Sequence, residues 1–352
     1  MFNAVTHDLF TDDSFFGFEP WEIDVEPVDL GAARIGGEWV IEFPSNRSVG
    51  VVLLRDQNGE WEDHAPAYGR VAIPGDAEIG IRWDASAPLD ESVLARLPAD
   101  ATTLLDLEWS DLSDSQLGWL LRFDRLKELK LGHTRITDAG MATVGLLTSL
   151  CSISLRGTAV GDDGAAHLRS IPSLASVDLA ATRVTDATLE LLGRSKTLTQ
   201  LDVSANPWPR IGGRGLEALS ESRRLTKLSV AWTDLSDMHL APIAKLTSLK
   251  ELDLSGTRVT DIGLRLLEGL PLKRLTLCAT PGVTNVGMAG LQRMKSLASL
   301  ELHQTCVDNV GVFELWTAKP TCSINGLTQP QWHAGALRGK WSSGEPILGA
   351  AA

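Results

Sequence analysis

The sequence predicts an α/β solenoid, in which short parallel strands form an inner sheet and helices pack outside it, preceded by a small all-β domain. Three observations lead to this prediction. A phrase of about 24 residues recurs in near-constant phase, each copy joins an alternating apolar segment to a helix-like one, and short β-like runs separated by turns precede the first copy. Hydrophobic residues make up 43 % of the 352-residue chain, which is enough to bury a large core.

Three regions come before the repeats. Residues 1–35 form an acidic, aromatic segment, which is either a docking peptide for a partner or a tail that folds back onto the next domain. Residues 36–87 alternate apolar and polar residues around turn signals such as Asn58–Gly59, and this pattern predicts a small antiparallel β domain. Residues 88–101 predict a short helix that caps the open first turn of the array.

The repeated phrase reads L-x-x-L-x-L-x-x-T-x-(I/V)-T-D-x-G-L-x-x-L-x-x-L, and its nine copies occupy residues 102–326. Its first part predicts a strand whose leucines point inward while the residues between them point outward. Its second part predicts a helix with one buried stripe, and an Asp such as Asp138 or Asp261 is expected at the N-cap. The Thr that follows each strand is expected to form a buried polar ladder serving the backbone. Residues 327–352 are a C-terminal tail.

The phrase resembles the TD-type leucine-rich repeats of bacterial proteins and is similar to GALA-type bacterial repeats and to the cysteine-containing repeats of F-box proteins. The resemblance covers residues 102–326 and implies a leucine-rich-repeat solenoid that binds another protein. As an alternative, it implies the substrate-recognition subunit of a ubiquitin-ligase-like complex or a host-directed bacterial effector. Residues 1–100 contain no leucine-rich three-helix pattern of the kind that an F-box requires.

Composition narrows the expected function further. A formal net charge of −13 disfavours nucleic acids and anionic membranes as partners. The sequence has no secretory signal pattern and no apolar run of about 18 residues, so a cytoplasmic location is expected. It also lacks phosphate-loop, metal-binding and hydrolase motifs, which predicts a non-enzymatic protein without cofactor or metal. The sequence does not indicate an oligomeric state.

Two arrangements would support chemistry if the protein were an enzyme. Cys278 and His303 fall in register on neighbouring turns, where they could serve as nucleophile and base. Asp63, His64 and Tyr68 are clustered within the predicted β domain. The Cys278–His303 pair offers no third group that would orient the base.

The predicted binding surface is the inner, concave face of the solenoid. One outward row is mostly acidic and includes Asp178, Asp202 and Asp253, while the next row consists mainly of small residues but also contains Arg156. His133 falls near the same face. An acidic face favours a basic or helical protein partner, and the alternative is that these charges only keep the sheet soluble.

The clearest interruption of the phrase lies in the fifth repeat, where residues 206–215 read N-P-W-P-R-I-G-G-R-G. This insertion predicts a loop at the rim of the sheet, with Trp208 close to Trp232 of the next turn and Arg210 nearby. Tryptophan and arginine are typical of interface hot spots. The alternative is that Trp208 covers a packing defect left by the missing Thr-Asp pair.

Overall fold

A computed structural model of the protein describes residues 32–206 and 211–326. Within these ranges, thirteen strands form one long sheet and three others form a small second sheet. Helices pack against one side of the long sheet, and the leucines between the two layers form a continuous buried core. None of the helices in these ranges has the length and apolar character of a membrane span.

The N-terminal strands divide between the two sheets. The small antiparallel sheet has the order β1-β2-β5, formed by Ala32–Ile35, Glu38–Glu42 and Arg70–Pro74. The long sheet begins with β4-β3-β6, formed by Trp61–Pro66, Gly50–Arg55 and Ile79–Trp83. Because β6 pairs in parallel with the first strand of the repeats, it covers an edge that would otherwise expose unpaired backbone groups. The β region therefore shares a sheet with the repeats, while the domain boundaries inferred from the sequence remain predictions.

The strands of the repeats pair in parallel and in sequence order. They are β7 to β16, at Thr102–Asp106, Glu128–Lys130, Ser152–Ser154, Ser176–Asp178, Gln200–Asp202, Lys227–Ser229, Glu251–Asp253, Arg274–Thr276, Ser299–Glu301 and Ser323–Asn325. The middle residue of each strand from β8 onward is buried and pairs with the middle residue of the next strand. This register confirms the α/β solenoid with alternating inward and outward residues.

The helices lie at α1 Glu91–Leu94, α2 Asp138–Val144, α3 Asp162–Ala165, α4 Asp186–Leu192, α5 Gly213–Leu219, α6 Leu240–Ile243, α7 Asp261–Leu266, α8 Asn285–Leu291 and α9 Asn309–Ala318. Short 3-10 helices occupy Asp114–Arg122, Ala166–Ser170 and Asp237–His239. Each α-helix buries apolar side chains on one face, as Leu189 and Leu192 do in α4. Helix α1, which precedes the first repeat strand, buries Val93 and Leu94, while its role as an N-terminal cap remains a prediction.

The Thr-Asp pair does not cap the helices in the way predicted from the sequence. The N-cap is the Thr, whose hydroxyl accepts a hydrogen bond from the N–H two residues later, as Thr260 does from Ile262 at 3.2 Å. The Asp is the first helical residue, and its carboxylate is turned toward the following repeat. Asp261 accepts hydrogen bonds from the N–H and the hydroxyl of Thr284, at 2.8 and 2.6 Å. The expectation that Asp138 and Asp261 are N-caps is therefore wrong by one residue.

These carboxylates connect successive repeats, and we refer to them as the Asp ladder. Each of these carboxylates accepts a hydrogen bond from the N–H of the N-cap residue of the next repeat's helix. The ladder comprises Asp114, Asp138, Asp162, Asp186, Asp237 and Asp261. The predicted polar ladder after the strands is also present. The hydroxyl of Thr134 donates to the carbonyl of Leu131 at 2.6 Å, and Thr257 donates in the same way to Leu254. Both ladders satisfy buried backbone groups.

Candidate functional site

The outward-facing side of the parallel sheet is the surface that the fold leaves for recognition. Its central row, the acidic row, is formed by Asp106, Lys130, Ser154, Asp178, Asp202, Ser229, Asp253, Thr276 and Glu301, which are paired in register along the sheet. This order is the one predicted from the repeat phrase. Its carboxylates, however, have different partners: some are in ion pairs with lysine or arginine, and others accept only hydrogen bonds or lie near a histidine.

Arg156 forms ion pairs with two carboxylates in the middle of the acidic row and so offsets part of their charge. Its Nε atom lies 3.1 Å from Asp178 Oδ2, and its Nη2 atom lies 2.8 Å from Asp202 Oδ2. Burial raises the pKa of Asp178, and the neighbouring Asp202 carboxylate adds to this effect. Toward the N-terminal end, Lys130 is paired with Asp106 at 3.1 Å. Arg156, Asp178 and Asp202 were each predicted to bind a partner, and the structure places them in contact with one another.

The C-terminal part of the acidic row keeps its charge. The Asp253 carboxylate accepts a hydrogen bond from the Ser255 N–H at 2.9 Å, and Glu301 accepts one from the Asn325 side chain at 2.6 Å. Among the described residues, no lysine or arginine forms an ion pair with either carboxylate. A cationic partner would therefore be attracted more strongly to this part of the face than to its middle.

A second row, which we call the αL row, borders the sheet where each strand turns toward its helix. Its members have φ angles between 52° and 67° and are Trp109, His133, Gly157, Ala181, Ala205, Trp232, Gly256, Ala279 and Gln304. The backbone requires this conformation because the N–H groups donate to a carbonyl of the next repeat, as Trp232 does to Ser255 at 2.7 Å. Left-handed backbone costs about 1–2 kcal/mol for residues with a side chain, so glycine would be the residue of least strain.

Trp232 lies on the αL row with its indole against Gly256. A Cβ atom on Gly256 would lie 2.4 Å from the indole Cε3 atom, so the ring occupies this position only because the next repeat has glycine there. Trp232 remains 58 % exposed. Trp232 was predicted from the sequence to bind a partner together with Trp208 and Arg210, and these last two lie outside the described residues.

At the other end of the αL row, Trp109 and His133 form a stacked pair. The ring centroids are 3.7 Å apart and the ring planes differ by 10°. His133 in turn lies against Gly157, where a Cβ atom would be 2.5 Å from its Nδ1 atom. Trp109 was missed by the sequence analysis, although it stands at the same position of its repeat as His133 and Trp232. That positional equivalence is the signal that could have identified it.

The arrangements considered for chemistry do not form an activated site. Cys278 Sγ lies 3.8 Å from His303 Nδ1, as the register predicted, but burial raises the pKa of the thiol. The same Nδ1 atom is 3.7 Å from Glu301, so this carboxylate does not orient the imidazole from its other nitrogen, as it does in a catalytic triad. His64 faces the carbonyl of Ala72 at 3.2 Å. The described residues contain no group of three His, Cys, Asp or Glu side chains that could hold a metal.

The helix side of the protein carries a different surface, on which exposed apolar residues stand among ion pairs such as Lys245–Glu217. Exposed apolar residues occupy the same position near the start of the last four helical segments, at Met238, Ile262, Val286 and Val310. A cleft of about 480 Å³ also lies on this side, between the ends of the third and fourth helical segments. Its charged lining residues include Arg169, Arg194 and Lys196, which are exposed to solvent.

Comparisons with known proteins agree with the repeat phrase. The family model described as Leucine Rich repeat matches residues 126–145 and 245–267. No curated protein matches the chain. Among solved structures, the chain is similar to an internalin from Listeria monocytogenes, with 20 % identity, a TM-score of 0.49, and coverage of 68 % of this chain and 71 % of the internalin.

Two further solved structures are similar over much of the chain. For a leucine-rich-repeat protein from Leptospira interrogans, the identity is 16 %, the TM-score is 0.44, and the match covers 69 % of this chain and 82 % of that protein. For a plant peptide hormone receptor, solved in complex with RGF2, the identity is 15 %, the TM-score is 0.42, and the match covers 72 % of this chain and 39 % of the receptor.

Proposed function

We propose that this chain, which is a leucine-rich-repeat protein, acts as a non-enzymatic scaffold that binds a protein partner on the outward face of its parallel sheet. Stacked repeats generally present extended surfaces of this kind, and proteins built from them typically bind other proteins. The partner is expected to be basic, and the contact is expected to include Trp232 and Asp253.

The observation that carries this proposal is the exposed indole of Trp232 on the αL row. The fold does not need a large side chain there, because the equivalent positions are Ala205 in the neighbouring fifth repeat and Ala279 in the eighth. A tryptophan at this position has a strained left-handed backbone and also exposes a large apolar surface to solvent. The alanines of the αL row carry the same strain, so the exposed indole is the feature that supports a role in recognition, and tryptophan is among the residues that contribute most to protein interfaces.

Charge supports the same part of the face. Asp253 and Glu301 lie on β13 and β15, which follow Trp232 along the sheet, and neither forms an ion pair with a lysine or arginine in the described part of the chain. The whole chain has a net charge of −13, which would steer a basic partner toward the protein. Asp178, Asp202 and Arg156 would contact the partner as one ion-paired cluster, in which a single guanidinium offsets one of the two carboxylate charges. His133 would contribute at the N-terminal end of the face.

Other parts of the prediction stand as proposals beside this one. Trp208 and Arg210 would extend the contact from the rim if the partner reaches the fifth repeat. The cytoplasmic location and the bacterial origin remain predictions from the sequence. Neither nucleic acid nor membrane is expected as a partner, because the acidic row would repel both.

The test is a comparison of three proteins: the wild type, Trp232→Ala, and Ile262→Ala as a matched control on the helix side, where Ile262 is 71 % exposed. A partner recovered from native lysate and then purified should bind Trp232→Ala about 30-fold more weakly, which corresponds to a hot-spot loss of about 2 kcal/mol. Binding to Ile262→Ala should match the wild type when measured by isothermal titration calorimetry. Equal binding by all three proteins, or a loss only in Ile262→Ala, would contradict the proposal.

A further inference from the structure

A cleft of about 410 Å³ lies between the loop that follows β6 and the turns of the first two repeats. Its lining consists of Ala85, Ser86, Ala87, Pro88, Trp109, Ser110, Asp111, His133, Thr134 and Arg135. The apolar residues of the loop form one side, and the aromatic pair of the αL row forms the other. We refer to it as the Trp109 cleft. Its volume is within the range of about 300–1,000 Å³ that is usual for binding clefts.

Trp109 provides this cleft with a flat, open aromatic face. His133 covers one face of the indole at a centroid distance of 3.7 Å, yet Trp109 remains 62 % exposed, so the opposite face is accessible. His133 is itself held against the backbone at Gly157. The indole is therefore supported from behind, and a ligand that stacks on it would lose little affinity to ordering of the protein.

The charges around the cleft favour a cation. Asp111 lines it, and the Asp84 carboxylate accepts hydrogen bonds from the N–H and the hydroxyl of the lining residue Ser86, both at 2.8 Å. Neither carboxylate is in an ion pair with a lysine or arginine that the structure describes, and Asp111 accepts a hydrogen bond from the Leu89 N–H. Arg135 is the cation in the lining, so the immediate surroundings have more negative than positive groups.

We propose that the Trp109 cleft binds the guanidinium group of an arginine side chain that belongs to the protein partner. A planar guanidinium stacks on an indole and interacts with its ring electrons, while its N–H groups can donate to carboxylates at the edge. Lysine offers a compact charge without a plane and would gain less from the same face. This inference rests on the proposed function, because it assigns the cleft to a residue of the same partner.

The position of the cleft also defines the length of the partner segment. Trp109 and Trp232 hold equivalent positions after β7 and β12, which are five strands apart in the sheet. At about 4.8 Å per strand they are separated by roughly 24 Å, a distance that about seven residues of extended chain would span. A segment with an arginine about seven residues from its contact with Trp232 would therefore occupy both sites.

The experiment uses the full chain and N-acetyl-arginine amide as the probe, with N-acetyl-citrulline amide as a neutral compound of the same shape and N-acetyl-lysine amide as a cation without the plane. Indole N–H signals are followed by nuclear magnetic resonance, and the Trp109 signal is assigned from its absence in Trp109→Ala. That variant is expected to fold, because Ala181 and Ala205 hold equivalent positions. Arginine amide should shift the Trp109 signal in a saturable way at millimolar concentrations, and the other two compounds should shift it at least fivefold less.

Three outcomes would overturn the inference: no shift of the Trp109 signal, an equal shift with citrulline amide, or an equal shift with lysine amide. Partner binding by Trp232→Ala distinguishes a failure of this inference from a failure of the proposed function. If Trp232→Ala loses the partner but arginine amide leaves Trp109 unchanged, only the assignment of the cleft fails. If arginine amide binds at Trp109 but the partner binds all variants equally, the proposed function fails.

Discussion

The Asp ladder and the αL row follow the same repeats but differ in how their side chains vary. In the Asp ladder, a carboxylate performs the same task in six repeats, accepting hydrogen bonds from the start of the following helix, and the amide oxygen of Asn285 takes its place in the eighth. In the αL row, the backbone is equally constant, with φ between 52° and 67°, but the side chains range from none in Gly157 to an indole in Trp232. This difference separates side chains that the fold requires from those that it merely tolerates.

The reason lies in which atoms each row uses. The Asp ladder uses carboxylate oxygens, which glycine and alanine lack. Where Gly213 stands at this position in the fifth repeat, the N–H of Ser236 in the next repeat donates to His239 instead. The αL row uses backbone N–H groups, as His133 does when it donates to the carbonyl of Arg156 at 2.7 Å, and every residue except proline has this group. Side chains on the αL row are consequently free to serve recognition, and those on the Asp ladder are not.

The largest effect that would test this comparison is expected from Asp162→Ala. Asp162 accepts hydrogen bonds from the N–H and hydroxyl groups of both Thr185 and Thr188, and Thr188 is fully buried. Removing the acceptor leaves several of these donors without a partner and should lower the free energy of unfolding by about 3 kcal/mol. The adjacent Asp163→Ala is the control, because Asp163 is exposed, and should change it by less than about 0.5 kcal/mol. Urea denaturation of both variants measures the difference, and equal losses would contradict the role of the ladder.

The loss of unfolding free energy in Asp162→Ala is expected to depend on pH. Burial raises the pKa of Asp162, but the hydrogen bonds from Thr185 and Thr188 together lower it by more, so it lies below its ordinary value of 3.8. The ionised carboxylate therefore stabilises the folded state above pH 3.8, and this contribution is lost as the pH falls further toward the lowered pKa. The gap in unfolding free energy between wild type and Asp162→Ala should narrow below pH 3.8. A gap that widens there would contradict this assignment.

A smaller effect is expected from Gly256→Ala, which acts on the αL row through a neighbour. The added Cβ would lie 2.4 Å from the Trp232 indole, so the ring must move, and Ala at a φ of +64° adds about 1 kcal/mol of strain. The unfolding free energy should fall by about 1–2 kcal/mol, and partner binding should weaken as in Trp232→Ala. In a Trp232→Ala background, the same substitution should have no further effect on binding. A full additional loss of binding there would mean that Gly256 itself contacts the partner.

The comparison also explains which features could be predicted from the sequence. The repeat boundaries, the outward rows and the Thr ladder were predictable, because period-two alternation and stacking determine which residues of each copy are buried. The N-cap was placed one residue too late because Thr and Asp both make good caps, and the choice depends on a Thr of the next repeat, such as Thr284 for Asp261. The ion-paired middle of the acidic row depends on how far Arg156 reaches across two strands, which spacing alone does not determine.

The αL row was only partly predictable for a related reason. The phrase has no consensus residue at this position, so no shared side chain reveals the left-handed backbone. Trp232 was identified through its nearness to the fifth-repeat insertion, whereas Trp109, at the same position of the first repeat, was missed. A repeat consensus does not reveal positions whose backbone conformation is constant but whose side chains vary. Such positions can carry the side chains that recognise a partner.

The smallest expected change in stability comes from Trp232→Asn, and it tests whether the αL row serves the fold at all. Asparagine accepts left-handed backbone more readily than tryptophan, so relief of about 1 kcal/mol of strain should offset the loss of indole contact with Gly256. The free energy of unfolding should stay within about 0.5 kcal/mol of the wild type while partner affinity falls as far as in Trp232→Ala. Thermal denaturation and calorimetric titration of the same sample separate the two quantities. A loss of several kcal/mol in stability would make Trp232 a structural residue and remove the distinction between the αL row and the Asp ladder.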